Sequence, residues 1–143
     1  MATPVPPGEQ PDAAMMAAAE QVAHFIETGD EGVLISAFAA RDMTIIENFA
    51  PFVFSGAAGV EAWAAAMRAH LVGLSSLHHS FGPAIDFSRA GDVAYFSLPT
   101  TWRGVAKGEA FTETGGWAFV VVQQAGAWRV RNYGWAVTAL TVD

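Results

Sequence analysis

The sequence predicts an α+β domain, in which a curved antiparallel sheet wraps over three N-terminal helices. Apolar residues recur at helical spacing in the first half of the chain. From Leu77 onward, runs rich in Val, Phe, Trp, Tyr and Thr alternate with short turn signals. Because the connections are short, neighbouring strands are expected to pair as hairpins. Such a sheet encloses a concavity over the helices, and this is where a ligand would bind.

The first helix begins the domain. The chain has 143 residues, which fits one domain with a core of ordinary size. Residues 1–11 are proline-rich and lack periodicity, so we expect a mobile tail followed by a single domain over residues 12–143. Asp12 is expected to cap a helix that ends at Gly29. The apolar face of this helix comprises Met15, Ala19, Val22 and Ile26.

Two more helices flank a short strand. Asp30 is expected to cap a second helix over residues 31–40. An apolar strand over residues 43–46 then runs directly into an acid, Glu47, and a turn containing Phe and Pro. The third helix follows Gly56 and is the clearest in the chain. Its apolar stripe consists of Val60, Trp63, Ala64, Met67 and Leu71.

Four long strands complete the fold, and they are predicted over residues 77–88, 92–103, 109–123 and 127–138. Pro83 and Pro99 lack an amide donor and are expected at a bulge or an edge. The pair Gly115–Gly116 is expected to mark a bulge or a tight bend. Simple alternation on the last strand places Tyr133 and Trp135 on the face opposite to Trp128, Val130, Asn132 and Gly134. Since both faces carry apolar bulk, we expect a homodimer in which sheet packs on sheet.

Composition excludes several functional classes. The net charge is −7 and no Lys/Arg cluster exists, so we expect no nucleic-acid and no membrane partner. No apolar run reaches the roughly 18 residues that span a bilayer, and signal-peptide features are missing, so a cytoplasmic location is expected. The chain has no cysteine and no metal-ligand spacing of His and carboxylates. We therefore expect neither a metal nor a cofactor.

Five segments carry a family resemblance. They are the Gly29–Asp30 junction, the AARDMTII lead-in to the first strand, the run ending at Gly56, the helix GVEAWAAAMRAHL and the terminal AWRVRNYGWAV. Together they resemble the nuclear transport factor 2-like superfamily, in its SnoaL-like and ketosteroid-isomerase-like branch. The resemblance implies a cone-shaped, cystatin-like roll and a homodimer. This fold hosts isomerases, cyclases, dehydratases, hydrolases and non-catalytic binders.

The resemblance also implies a role for Glu47. In ketosteroid isomerases the general base is an acid nine residues before the Gly that opens the third helix, and Glu47 stands nine residues before Gly56. The other catalytic positions do not carry over. The expected tyrosine position falls at Val22, and the expected protonated acid falls within residues 116–118, none of which is acidic. The resemblance therefore implies proton transfer by Glu47 and does not support steroid isomerisation.

Glu47 and His79 are the candidate catalytic residues. A carboxylate at the mouth of an apolar pocket loses hydration, which raises its pKa toward that of a useful base. The alternative is a strand-end acid bonded to Asn48 or to a backbone amide. His78 and His79 point to opposite faces of a strand, so only one can serve as acid partner to Glu47. The remaining histidines, at positions 24 and 70, are expected to be exposed on polar helix faces.

The candidate ligand-binding residues are mainly aromatic. They are Asn48, Phe54, Trp63, His78, Trp102, Trp117, Tyr133 and Trp135. Alternatively, these aromatics are core residues or contact a second subunit. We expect a pocket for a small, mostly apolar molecule, and as an enzyme the protein would be a cofactor-independent isomerase, cyclase or dehydratase. There, Glu47 takes a proton and a His or Trp N–H steadies the developing charge. The alternative functions are a non-catalytic ligand-binding domain and a protein-interaction domain that docks through the outer sheet.

Overall fold

The computed structural model describes residues 9–39 and 42–143 of the chain. The helices are α1 (Ala13–Thr28), α2 (Leu34–Ala37) and α3 (Gly59–His70), with a 3₁₀ turn at Glu31–Val33. The strands are β1 (Thr44–Ile46), β2 (Val53–Ser55), β3 (Leu74–Phe81), β4 (Ile85–Ala90), β5 (Val93–Ala106), β6 (Glu109–Gln124) and β7 (Ala127–Val142). None of the described helices is both long and apolar enough to cross a bilayer.

The first helix has the predicted limits. The Asp12 carboxylate accepts a hydrogen bond from the backbone N–H of Met15 at 2.9 Å, and Gly29 ends the helix with φ +75°. The second helix is shorter than predicted. Asp30 caps the 3₁₀ turn, and a single α-helical turn at Leu34–Ala37 follows. The predicted end of that helix lies outside the described residues.

The strands form one curved, open sheet in the order β2-β1-β7-β6-β5-β3, and β4 pairs with β5 as well. The pairing of β1 with β7 is parallel, and the other pairings are antiparallel. The sheet covers the helices with its concave face, and the core lies between them. The largest fully buried side chains include Trp63, Trp117, Phe25, Phe96 and Phe119. This architecture confirms the predicted α+β class.

Two strand predictions are wrong in detail. The strand predicted over residues 77–88 is two strands, because the chain breaks at residues 82–84, around Pro83. Pro99 lies on β5 where its neighbour changes from β4 to β3, and its carbonyl accepts a hydrogen bond from the N–H of Gly82 at 2.8 Å. The second error is β2, which pairs with β1 and was expected to be a turn. A short strand has too few residues to show alternation.

The predicted facing of β7 is wrong beyond Val130. In the β6–β7 pairing, Val121 lies opposite Val130 but Val120 lies opposite Asn132, so Arg131 is an extra residue in a β-bulge. The bulge resets the alternation, and Tyr133 therefore joins Val130 on the buried, concave face. Trp135, two residues on, follows Tyr133 to this face. A second shift in register occurs at Gly115, within the predicted Gly115–Gly116 pair.

The N-terminal segment contacts the sheet before α1 begins. The side-chain amide of Gln10 donates to the carbonyl of Ala84 at 3.0 Å and accepts from its N–H at 2.8 Å. Pro11 is buried. The last residues of the predicted tail are thus anchored to the sheet, while residues 1–8 of that prediction lie outside the described residues.

Candidate functional site

A pocket with a volume of about 90 Å³ lies between the helices and the concave face of the sheet. Its lining is mainly apolar, as ligand pockets usually are. The lining residues are Ile26, Glu47, Asn48, Phe49, Met67, His70, Leu71, Leu74, Leu77, Trp102, Phe111, Glu113, Trp117 and Trp135. Asn48 and His70 are exposed, which places them at the rim. The pocket therefore combines aromatic walls with two acids and one histidine.

Glu47 lies at the end of β1, where its N–H donates to the carbonyl of Phe52 at 2.9 Å and closes the β1–β2 hairpin. The residue is only 6% exposed. Its Oε2 accepts two hydrogen bonds, one from Trp63 Nε1 at 3.0 Å and one from the Tyr133 hydroxyl. Within residues 9–39 and 42–143, the other oxygen, Oε1, accepts none. One oxygen is therefore fixed and the other is available to a ligand.

Burial raises the pKa of Glu47 above its ordinary value of 4.5, and the negative charge of Glu113 raises it further. The hydrogen bonds from Trp63 and Tyr133 act in the opposite direction, because they stabilise the carboxylate. Burial also raises the pKa of the Tyr133 hydroxyl well above 10.0, and the neighbouring Glu47 adds to this. Tyr133 is therefore a hydrogen-bond donor to Glu47 throughout the physiological range.

Two further titratable groups line the pocket. Glu113 lies on β6, on the same face as Trp117, and burial raises the pKa of its carboxyl group. His70 ends α3 and stacks on Phe49 with ring centroids 4.4 Å apart. Burial lowers the pKa of the His70 imidazole. Glu47, Glu113 and His70 thus all shift toward their neutral forms, since the apolar walls disfavour charge.

The structure brings many of the predicted site residues together. Four of the predicted ligand-binding residues line the pocket: Asn48, Trp102, Trp117 and Trp135. Trp63 and Tyr133 lie in the core and do not line the pocket, but both donate hydrogen bonds to Glu47, which does line it. Phe54 is also buried, and its ring packs against Phe49 at 6.2 Å without joining the lining.

His79 is not brought to Glu47. Its Nδ1 lies 2.5 Å from Glu27 Oε1 and its Nε2 lies 2.6 Å from Glu20 Oε2. The backbone N–H of His79 donates to the same Glu27 oxygen at 2.7 Å. The two acids are seven residues apart on α1 and share the face that meets β3. His79 therefore ties β3 to α1 outside the pocket, and His78, on the other face of the strand, is exposed.

Sequence reasoning missed Glu113 and His70. Glu113 is four residues before Trp117 on one strand, so alternation alone indicates that both share a face. His70 was expected to be exposed, and it is, but it also lies three residues after Met67, at the edge of the apolar stripe of α3, and lines the pocket. The described part of the chain contains no group of three or more His, Asp and Glu residues that could hold a metal ion.

The chain belongs to the SnoaL-like domain family, whose family model matches residues 12–134. No curated protein matches the chain. Among solved structures, the Kfla4162 protein of Kribbella flavida is similar with a TM-score of 0.77 and 13% identity, over 90% of this chain and 91% of that one. The hexachlorocyclohexane dehydrochlorinase LinA-type3 of Novosphingobium barchaimii has a TM-score of 0.75 and 10% identity, over 92% and 88%.

A third similar structure is that of a protein assigned as a ketosteroid isomerase from Shewanella frigidimarina. Its TM-score is 0.68 at 21% identity, and the match covers 87% of this chain and 96% of that one. At such identities the likenesses show the fold. The family match over residues 12–134 confirms the predicted superfamily.

Proposed function

We propose that the protein is a cofactor-independent enzyme in which Glu47 removes a proton from carbon in a small, mostly apolar molecule. The reaction class is an isomerisation or an elimination such as a dehydration. The proposal rests mainly on the environment of the Glu47 carboxylate, which is buried in an apolar pocket. Two donors bind its Oε2, while its Oε1 accepts no hydrogen bond from the described residues. A fixed carboxylate with one open oxygen has the geometry that a general base needs.

The electrostatics of the pocket support this role. A general base is most effective when its pKa lies near the working pH, and burial moves the pKa of Glu47 in that direction. Trp63 and Tyr133 oppose the shift and keep the ionised form accessible. The same low polarity that weakens hydration of Glu47 strengthens its interaction with a bound proton donor. The pocket thus raises basicity without making the carboxyl group permanently neutral.

Glu113 and His70 are the proposed partners of Glu47 in place of His79. Both line the same pocket, and burial favours the neutral form of each. A neutral Glu113 has a proton to donate to a leaving group or to a second carbon atom. The neutral imidazole of His70 can donate from one nitrogen and accept at the other. Either group completes a proton transfer that Glu47 begins.

The structural relatives support the reaction class. One is named as a dehydrochlorinase and another is assigned as an isomerase. Loss of hydrogen chloride removes a proton from the organic substrate, and the site described here is built around a proton acceptor. The substrate of this chain follows from its own pocket, which is small, aromatic and mainly apolar.

Hydrogen–deuterium exchange tests the proposal without knowledge of the natural substrate. We expect the protein to accelerate exchange at carbons next to the carbonyl group of small cyclic ketones in D₂O, followed by proton NMR. Glu47→Gln should slow the catalysed exchange by about 100-fold or more, which is the range of general-base catalysis. The matched control is Glu61→Gln, since Glu61 is an exposed acid on α3. Exchange that persists in Glu47→Gln would rule out Glu47 as the base.

The alternative function is a non-catalytic binding domain. It is favoured by the two hydrogen bonds to one oxygen of Glu47, which would also suit a purely structural acid. Ligand binding can be followed through the fluorescence of the lining tryptophans at positions 102, 117 and 135. Ketones that quench this fluorescence but show no catalysed exchange would support the binding function.

We further infer that the protein is a homodimer that pairs through the outer face of its sheet. Small residues occupy neighbouring positions on this face, where Ala118 lies opposite Gly134 and Gly116 lies opposite Ala136. A flat surface of small side chains allows two sheets to approach closely. This interface would cover apolar groups on the side of the sheet away from the pocket.

A further inference from the structure

The pocket contains two acids that have no cationic partner. Glu47 and Glu113 both line it, and none of the described residues that line it is a Lys or Arg. Neither carboxyl group forms an ion pair with a described residue. The charge of Glu113 raises the pKa of Glu47, which means that the two groups repel each other when both are ionised. The pocket therefore concentrates negative charge that its lining does not neutralise.

Both acids have acceptor atoms that remain unused. Glu47 is 6% exposed, and its Oε1 accepts no hydrogen bond from the described residues. This oxygen is not enclosed by protein, because Trp117 Nε1 is the one enclosed side-chain nitrogen or oxygen without a partner in the described part of the chain. The Glu113 carboxyl group is half-buried and receives no hydrogen bond from the described residues. Both acids are therefore open to a ligand that donates hydrogen bonds.

The walls of the pocket suit an organic cation better than a metal ion. Aromatic rings attract a cation that lies over their faces and also pack against an apolar body. The aromatic residues of the lining are Phe49, Trp102, Phe111, Trp117 and Trp135. A metal ion instead needs several ligands, and residues 9–39 and 42–143 contain no group of three or more His, Asp and Glu that could hold one.

Glu113 is better placed than Glu47 to pair with such a cation. The Oε2 atom of Glu47 already accepts two hydrogen bonds, whereas burial is the cause that shifts the pKa of Glu113 and no donor opposes it. Glu113 has thus lost part of its hydration without a replacement. A cationic N–H group would supply that replacement, because a charge-assisted hydrogen bond is about twice as strong as a neutral one.

We propose that the pocket binds a small protonated amine, whose ammonium group donates to Glu113 while its apolar body lies against the aromatic walls beside Glu47. This inference rests on the proposed function and names the substrate class: an amine that presents a C–H bond to Glu47 Oε1. The bound cation also favours the ionised form of Glu47, which is the form that removes a proton. Glu113 is then a binding residue, and His70 remains as the group that returns the proton.

Cyclohexylamine and cyclohexanol test this, because they share a ring and differ mainly in the charge of one substituent. At about pH 7.5 an alkylamine is protonated, while the alcohol is neutral. Isothermal titration calorimetry of the wild-type protein should show that the amine binds at least about tenfold more tightly, as expected for a hydrogen bond to a charged group. Equal affinities, or no binding of cyclohexylamine, would overturn the proposal.

The variant Glu113→Gln assigns the preference to one carboxylate. It should reduce the preference for the amine to about twofold or less and leave cyclohexanol binding within about twofold, since the amide keeps the shape of the side chain and removes its charge. Glu109→Gln is the matched control, because Glu109 is an exposed acid on the same strand and does not line the pocket. It should keep the full preference. A preference that persists in Glu113→Gln contradicts the assignment.

A measurement at lower pH replaces the variant if Glu113→Gln does not fold. At about pH 4.5 the Glu113 carboxyl group is mostly neutral in the free protein, because burial raises its pKa above 4.5. Glu47 becomes neutral and His70 gains a proton over the same range, and both changes also weaken binding of a cation. The preference for cyclohexylamine should therefore fall, and an unchanged preference would exclude the carboxylates as its source.

These affinities are measured at equilibrium without turnover, so they separate this inference from the proposed function. A preference for the amine without Glu47-dependent exchange keeps the amine site and removes only the base. Glu47-dependent exchange of ketones without a preference for the amine keeps the base and overturns the amine site.

Discussion

Two opposing effects act on the pKa of the Glu47 carboxyl group. Burial at 6% exposure disfavours its charge, while Trp63 and Tyr133 offer it hydrogen bonds that favour the charge. Burial is the larger effect, so the pKa is raised. A charged group kept in such surroundings reduces the stability of the fold, and this is the pattern seen where a residue is retained for function.

The raised pKa of Glu47 predicts a loss of stability with increasing pH. Below its ordinary value of 4.5 the carboxyl group is protonated in both the folded and the unfolded chain. As the pH rises, the unfolded chain releases the proton first, so the free energy of unfolding falls until the folded pKa is passed. Glu47→Gln should therefore be more stable than wild type at about pH 7.5, by about 1.4 kcal/mol for each unit by which folding raises the pKa.

Urea unfolding at several pH values measures this difference. The gap between Glu47→Gln and wild type should close near about pH 4, where the wild-type carboxyl group is neutral as well. The exposed Glu61→Gln variant is the control and should show no comparable gain. A Glu47→Gln variant that is less stable than wild type at neutral pH would contradict the assigned direction of the pKa shift.

Sequence alone located Glu47 but not its surroundings. Its position nine residues before Gly56 identified the acid, because the chain there has a fixed local spacing. Glu113 was missed because the resemblance directed the search for a second acid to residues 116–118, none of which is acidic. The hydrogen bond from Tyr133 could not be predicted, because it joins residues 86 positions apart.

At the scale of the elements, helices were predicted more accurately than strands. The limits of α1 follow from two local signals, the Asp12 cap and Gly29. The facing of β7 depends instead on the bulge at Arg131, where no Gly or Pro marks the sequence. One extra residue reverses the facing of every later residue in a strand. An alternation pattern therefore could not predict which aromatic residues form the wall of the pocket.

Among the glycines that the structure describes, Gly115 leaves the least room for a side chain. A Cβ atom there would lie 2.4 Å from the carbonyl oxygen of Ala136 and 2.5 Å from the Trp135 ring. Gly115→Ala should destabilise the fold by about 1–3 kcal/mol, which is typical of overpacking, and displace Trp135 from the pocket. Thermal or urea unfolding measures the loss of stability. The fluorescence of the tryptophans that line the pocket reports the displacement of Trp135.

The neighbouring glycine provides the matched control. A Cβ atom at Gly116 meets no atom within 4 Å, and the residue lies on the opposite face of β6. In the Ala118→Glu background, which removes the proposed dimer interface that includes Gly116, Gly116→Ala should therefore change the stability by less than about 1 kcal/mol. Equal effects of the two substitutions would show that the contact with Trp135 and Ala136 does not limit residue size at position 115.

At the scale of the whole molecule, the two faces of the sheet have different roles. The concave face carries the core and the pocket, and the outer face carries the small residues of the proposed dimer interface. The sequence predicted the α+β class and the superfamily correctly, because these depend on the order and type of elements. It did not indicate how much of the concavity its own aromatic residues would fill, since that depends on packing in three dimensions.

The proposed dimer predicts the mass of the protein in solution. Light scattering should give twice the chain mass of 15.1 kDa for wild type. Ala118→Glu places a charge at the centre of the proposed interface, where burial without a partner is costly, and should give a monomer. Ala90→Glu makes the same chemical change at an exposed position on β4 and should remain dimeric. A wild-type monomer, or an Ala118→Glu dimer, would exclude this interface.

The two hydrogen bonds to Glu47 Oε2 have a stereochemical consequence. Trp63 and Tyr133 approach from different elements, α3 and β7, and together they prevent rotation of the carboxyl group. The base then acts from one side of a bound molecule, and a proton that it takes returns to that same side. Of two prochiral hydrogens on a carbon atom, such a site distinguishes one, so handedness in the product originates in a pair of bonds that never touch the substrate.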